Sequence, residues 1–141
     1  MVSGRTELKM KAGELIMKIQ FMAYLVGSIE AVDFYCKAFN AKSRNCFKHS
    51  DDDNFYAHAE IVINEKIVLA ISEKSHYKTE FVNGNNMQFW LTFDNEKSLI
   101  SAYNTLKDNA EVHWSLAPNE WCKNIADLTD KFGVRWLLNI T

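Results

Sequence analysis

His58 and Glu60 are the residues whose types and spacing first suggest chemistry. An imidazole and a carboxylate two positions apart on a strand project to the same side and can work as an acid/base pair. Which side they face decides what they can do. A two-residue turn at Asn64-Glu65 pairs Ile63 with Lys66, and that register aligns His58 with Ile71 and Glu60 with Leu69, towards the helices. The pair then reads as structural or peripheral, and a bulge in the hairpin would reverse the parity. His49, His76 and His113 stand among polar residues or beside loops and lack the i,i+4 spacing of helical ligands. Asp51-Asp52-Asp53 lacks the further donors and spaced glutamate of a calcium loop, so it reads as a hydrated turn. Cys36, Cys46 and Cys122 are odd in number and without CxxC spacing, indicating neither a disulfide framework nor a cysteine zinc site. A nucleophilic Cys122 would need a neighbouring base or cation.

The chain that must position these groups has 141 residues, one domain's worth, and its 48% hydrophobic content with a single proline predicts a buried core. A formal charge of -2 offers no basic excess for phosphates, which argues against nucleic acid as a partner. Lys18, Glu30, Asp33 and Lys37 interrupt the richest apolar region well short of the roughly 20 residues that cross a bilayer, so no membrane association is expected. Residues 1–17 have the wrong composition for a signal peptide and read as an N-terminal extension. With this cysteine usage, a reducing cytoplasm is the expected location.

Sliding the sequence over itself exposes an internal repeat. Ile19-Gln20-Phe21 lies over Met87-Gln88-Phe89 at an offset of 68 residues, and Tyr35 lies over Tyr103 at the same offset. Both segments lead into amphipathic helices, with apolar Val32, Phe34, Tyr35, Ala38 and Phe39 in one and Leu99, Ile100, Tyr103 and Leu106 in the other. Further on, Ala59-Glu60-Ile61 lies over Ala126-Asp127-Leu128 at an offset of 67 residues, and each run opens a β-hairpin. Earlier strands fit at Ala41–Lys48 and Ala110–Leu116. Each half therefore reads strand, helix, strand, strand, strand. A unit of about 55 residues closes a core poorly alone, whereas two can share one. The first module is expected at residues 18–75, a polar linker at 76–86 and the second module at 87–141, together one domain.

With those elements in place, the chain resembles a known superfamily. Tandem βαβββ units are the architecture of the vicinal oxygen chelate proteins, which include glyoxalase I, bleomycin resistance proteins and extradiol dioxygenases. Ala31 to Phe39, His58-Ala59-Glu60-Ile61, and Leu128-Thr129-Asp130-Lys131-Phe132-Gly133-Val134-Arg135-Trp136 are similar to the PhnB-like branch. The resemblance implies an α+β fold of two modules forming a curved mixed-sheet cup, and commonly a homodimer. It also implies a divalent metal held on the strands at positions that fall on Gln20, Ala70, Gln88 and Leu137. Two neutral amides and two aliphatics make a poor ligand set, so no metal and no cofactor are expected.

The two glutamines remain as a pseudo-symmetric pair facing a shared cavity, each able to donate and accept. Strand parity extends the lining to Met22 and Tyr24, and to Trp90 and Thr92. From Ala70 it adds Val68 and Ser72, and from Leu137 it adds Arg135 and Asn139. The expected ligand-binding residues are Gln20, Met22, Tyr24, Gln88, Trp90, Thr92 and Arg135, with no catalytic residue assigned. Trp114 and Trp121 either close over the cup or cover a sheet edge. The first functional expectation is a metal-independent small-molecule binding protein. The alternative is a glyoxalase- or dioxygenase-like enzyme, a lyase or an oxidoreductase, with a site of its own. A methyltransferase role is argued against by the lack of a glycine-rich nucleotide loop between strand and helix.

Overall fold

The computed structural model describes residues 19–65, 67–75 and 77–140, with the backbone alone at Ile67. The expected N-terminal extension and His76 lie outside the described residues. The first module comprises β1 (Phe21–Leu25), α1 (Ser28–Phe39), β2 (Lys42–His49), β3 (Asp52–Ile63) and β4 (Ile67–Glu73). The second comprises β5 (Phe89–Thr92), α2 (Glu96–Leu106), β6 (Glu111–Ala117), β7 (Asn124–Thr129) and β8 (Arg135–Ile140). The two sheets have matching strand orders, β1-β4-β3-β2 and β5-β8-β7-β6. In each, the first strand runs parallel to the last and the other pairs are antiparallel. The order strand, helix, strand, strand, strand, twice over, is thus the architecture that the repeat predicts.

Each helix starts with a different device for its free N–H groups. Asn95 caps α2 through its side-chain oxygen, which accepts from the Ser98 amide at 2.8 Å. Ahead of α1 the chain turns at Gly27, with φ 88°, where the missing Cβ makes the left-handed conformation cheap. There the buried Glu73 carboxylate at the end of β4 accepts from the Gly27 and Ser28 amides at 3.1 and 2.8 Å. The entry to α1 is thereby tied to the last strand of its own sheet.

One core serves both modules. Ala31, Val32, Tyr35 and Ala38 of α1 are buried with Leu99, Tyr103 and Leu106 of α2, over Ala59, Ile61, Leu69 and Ile71 of the first sheet and Ala126, Leu128, Trp136 and Leu138 of the second. Burying each large apolar side chain contributes roughly 1.5–3 kcal/mol, so the shared core is the main force joining the halves. A polar lock sits inside it. Asp130 accepts from the Tyr35 hydroxyl at 2.6 Å and from Trp136 Nε1 at 2.8 Å. The amides of Phe132 and Val134 serve its other oxygen at 2.8 and 3.1 Å. Burial pushes the Asp130 carboxyl up despite these four donors, and the Tyr35 hydroxyl, buried against that charge, is raised well above its ordinary value.

The β3–β4 hairpin corrects the register expected from the sequence. Ile63 pairs with Ile67 rather than Lys66, so Glu60 lies opposite Ala70 and Ala59 opposite Ile71. Asn64 and Glu65 both adopt left-handed backbone, with φ 51° and 62°, and the connection is one residue longer than a two-residue turn. That extra residue exchanges the faces. Ala59, Ile61 and Ile63 point into the core, and His58 and Glu60 point away from the helices. An irregularity in β2, where Asn45 has φ 50°, similarly sets Arg44 opposite Glu60 and Phe47 opposite His58.

Candidate functional site: two arginine-held carboxylates on the concave sheet faces

On the first sheet, the face turned away from the helices carries Met22 and Tyr24 of β1 beside Ala70 and Ser72 of β4, then His58 and Glu60 of β3, then Arg44 of β2. Glu60 is the hub. Its Oε1 accepts from Arg44 Nε at 2.9 Å and Asn45 Nδ2 at 3.1 Å, while Oε2 lies 3.0 Å from His58 Nε2. The hydrogen bond with His58, then those from Arg44 and Asn45, hold Glu60 at about 2 against an ordinary 4.5, so it is ionised at neutral pH. An ionised carboxylate only accepts, so the His58 nitrogen that bonds it, Nε2, carries a proton. The pair expected on the helix-facing side thus lies on the concave face, as the observed register of β3 requires.

The second sheet repeats the plan with different partners. Asp127 lies opposite Leu137, as Glu60 lies opposite Ala70. Arg135 grips it in bidentate fashion, Nε to Oδ1 at 3.0 Å and Nη2 to Oδ2 at 2.7 Å, while Nη1 donates to the Asn85 carbonyl at 2.6 Å. Gln88 Nε2 donates to the same carboxylate at 3.3 Å. Further along, Trp90 Nε1 and Thr92 Oγ1 both donate to Asn139 Oδ1 at 2.8 Å, and Asn139 Nδ2 donates to Cys122 Sγ at 3.3 Å.

The seven expected ligand-binding residues do not gather at one point. Met22, Tyr24, Gln88 and Arg135 line one cleft of about 260 Å³, with Phe21 and Phe89, along the free edge of β1. Trp90 and Thr92 line another hollow of about 350 Å³ with Ile63 and Asn64. Gln20 is exposed ahead of β1. Trp114 and Trp121, 61% and 77% exposed, line an open hollow of about 650 Å³ with His113 and Ile125. Tyr77 and Phe81, between the modules, pack on Tyr24 at centroid distances of 5.7 and 5.1 Å and cover one end of the first face. Sequence reasoning missed Asp127, Arg44 and Asn45. The repeat held a signal for the first of these, because it lays Asp127 over Glu60.

The divalent metal that the resemblance implies does not fit this donor set. Ala70 and Leu137 offer no ligand atom, and the carboxylates opposite them are already engaged by Arg44 and Arg135. The amide nitrogen of Gln88 is directed at Asp127, and the described residues contain no group of three or more His, Cys, Asp or Glu side chains arranged to hold an ion.

Comparison with solved structures identifies the fold as that of the glyoxalase/bleomycin resistance/dioxygenase proteins. A member of that superfamily from Sphaerobacter thermophilus superposes with a TM-score of 0.59 at 18% identity, covering 90% of this chain and 100% of its own. The PhnB protein from Bacillus cereus gives 0.77 at 20% identity, over 89% of this chain and 100% of its own. The fosfomycin resistance protein FosX from Listeria monocytogenes gives 0.62 at 9% identity, over 91% and 95%. No family profile matches the chain, and no curated protein matches it.

Proposed function

We propose that this protein is a small-molecule binding protein of the glyoxalase/bleomycin resistance type, PhnB-like, that works without a catalytic metal. One observation carries the reading. At two of the four positions where the resemblance puts a chelating side chain, Ala70 and Leu137, there is a hydrocarbon, and the carboxylate opposite each is paired with an arginine. A face built this way offers aromatic surface and hydrogen-bonding groups to an organic ligand. It presents no pair of free anions to an ion. Met22, Trp90 and Trp114, 40%, 65% and 61% exposed, add apolar area that supports a homodimer in which a second copy covers the faces, and the free thiols of Cys36, Cys46 and Cys122 support a cytoplasmic location. Among the described residues, no helix is long and apolar enough to cross a membrane.

The test is elemental analysis of protein purified without chelators, followed by dialysis against zinc, nickel, manganese and iron(II). The expected content stays well below one ion per chain. One ion per chain surviving dialysis would overturn the metal-free reading. A catalytic alternative within the same superfamily is favoured by one specific observation, the His58–Glu60 pair on the concave face of the first module.

A further inference from the structure

We propose that the concave face of the first module is a metal-free proton-transfer centre for an anionic carbon acid. In it His58 Nδ1 is the base, Glu60 is its positioning residue, and Arg44 anchors the substrate's carboxylate. The inference rests on the reading that this face binds a small molecule, and it adds an activity to that reading.

The geometry supplies each part. His58 and Arg44 are held on the two oxygens of one carboxylate, at 3.0 and 2.9 Å, so their separation is fixed by a rigid group rather than by two flexible side chains. Glu60 itself is 12% exposed, whereas His58 and Arg44 are 33% and 50% exposed, so the carboxylate is the floor and the other two face outwards. Nε2–H is committed to Glu60, and among the described residues Nδ1 makes no hydrogen bond, so its lone pair is not taken up by the protein. The Arg44 terminal nitrogens likewise have no partner among the described residues, and such a pair matches a carboxylate bidentately. Phe47, 6.5 Å from His58 between ring centroids at 29°, walls one side, and Met22 and Ala70 form apolar ground on the other.

The chemistry balances without an oxidant or an ion. Nδ1 takes a proton from the carbon beside a substrate carbonyl. The C–H electron pair moves into the C–C bond and the carbonyl pair onto oxygen, giving an enolate. The imidazolium formed is paired with Glu60, which stays ionised throughout. Return of the proton to the same carbon exchanges or epimerises it, return to oxygen gives the enol, and either outcome regenerates neutral His58 after proton exchange with water. Arg44 holds the substrate carboxylate while this happens and offsets the second negative charge as it develops.

The experiment follows proton loss at C3 of pyruvate, 2-oxobutyrate and 2-oxoglutarate in D2O by ¹H NMR. Wild type should speed exchange of at least one probe by about 10²-fold or more over buffer with an equal amount of free imidazole, and His58→Gln should return it to the buffer rate. Arg44→Gln should raise the half-saturating probe concentration by roughly tenfold or more with a smaller change in limiting rate. In Glu60→Gln the ¹⁵N shifts of the His58 ring should lose their Nε2–H preference while the amide spectrum keeps native dispersion, which separates positioning from folding; His58→Asn serves if His58→Gln misfolds. Wild-type exchange no faster than His58→Gln on all three probes overturns the proposal. If the probes then still shift the Met22 and Ala70 amides, ligand binding stands and only the base is lost. If nothing shifts, the Arg44 anchor falls with it.

Discussion

Replacing Tyr35 with Phe removes one oxygen and tests whether the two modules behave as one body. The Tyr35 hydroxyl is fully buried on α1 and donates at 2.6 Å to Asp130, which lies 95 residues away in the second module and is only 4% exposed. Asp130 keeps the Trp136 indole and the Phe132 and Val134 amides, so the variant loses one charge-assisted bond and strands no donor. Such a bond contributes about 1.5–3 kcal/mol, a sizeable share of the roughly 5–15 kcal/mol that holds an ordinary domain. The melting temperature should fall by about 4–10 °C.

The loss should depend on pH with a definite sign. Burial already raises the Asp130 carboxyl in the folded state, so its ionisation costs stability as pH rises through that folded value. Removing the tyrosine donor raises the folded value further. The gap between wild type and Tyr35→Phe is therefore largest at neutral pH and narrows in acid, where the carboxyl is protonated in both. Asp130→Ala should be far worse, because it leaves a buried hydroxyl, an indole N–H and two amides unpaired at about 1–3 kcal/mol each. Urea unfolding followed by tryptophan fluorescence and by far-UV circular dichroism reads both the size and the cooperativity. A Tyr35→Phe change within about 0.5 kcal/mol of wild type, or separate fluorescence and dichroism transitions in the wild type, would refute the lock.

Two further outcomes follow from the same structure. Glu60 is held at about 2 against an ordinary 4.5, so its contribution is complete above about pH 4.5 and drains away as pH falls towards 2. Urea midpoints at about pH 5 and pH 3 should converge between wild type and Glu60→Gln at the lower pH, and an unchanged difference would mean that the His58 and Arg44 bonds contribute nothing net. Gly27→Ala puts a Cβ on a left-handed residue with φ 88°, where it meets Phe132 Cε1 at 3.4 Å. That is an ordinary contact, so the cost is backbone strain of about 1–2 kcal/mol in urea, and a neutral variant would show that the Glu73 cap relaxes to accommodate it.

How much of this was legible in the residues depends on the length scale of the signal. The repeat was readable because periodicity survives divergence: Gln20-Phe21 over Gln88-Phe89 and Ala59-Glu60-Ile61 over Ala126-Asp127-Leu128 each mark a strand at the same place in its module. The Tyr35–Asp130 lock was not readable, since no local pattern pairs residues 95 apart. The register of β3 lies between these cases. Counting residues through the turn failed because three residues, not two, connect β3 to β4, although positive φ at Asn64 and Glu65 is also what a two-residue turn would show. Yet β3 carries a second, independent statement of its own facing. Ala59, Ile61 and Ile63 alternate with His58, Glu60 and Val62, and only the first set can be buried without stranding a charge. Burying a carboxylate and an imidazole under α1 would cost several kcal/mol, whereas adding a residue to an exposed turn costs well under one. Where the two cues conflict, the energy scale says to believe the alternation. That choice turns His58 and Glu60 outwards, and the same reasoning applied to the repeat puts Asp127 on the matching face of the second sheet.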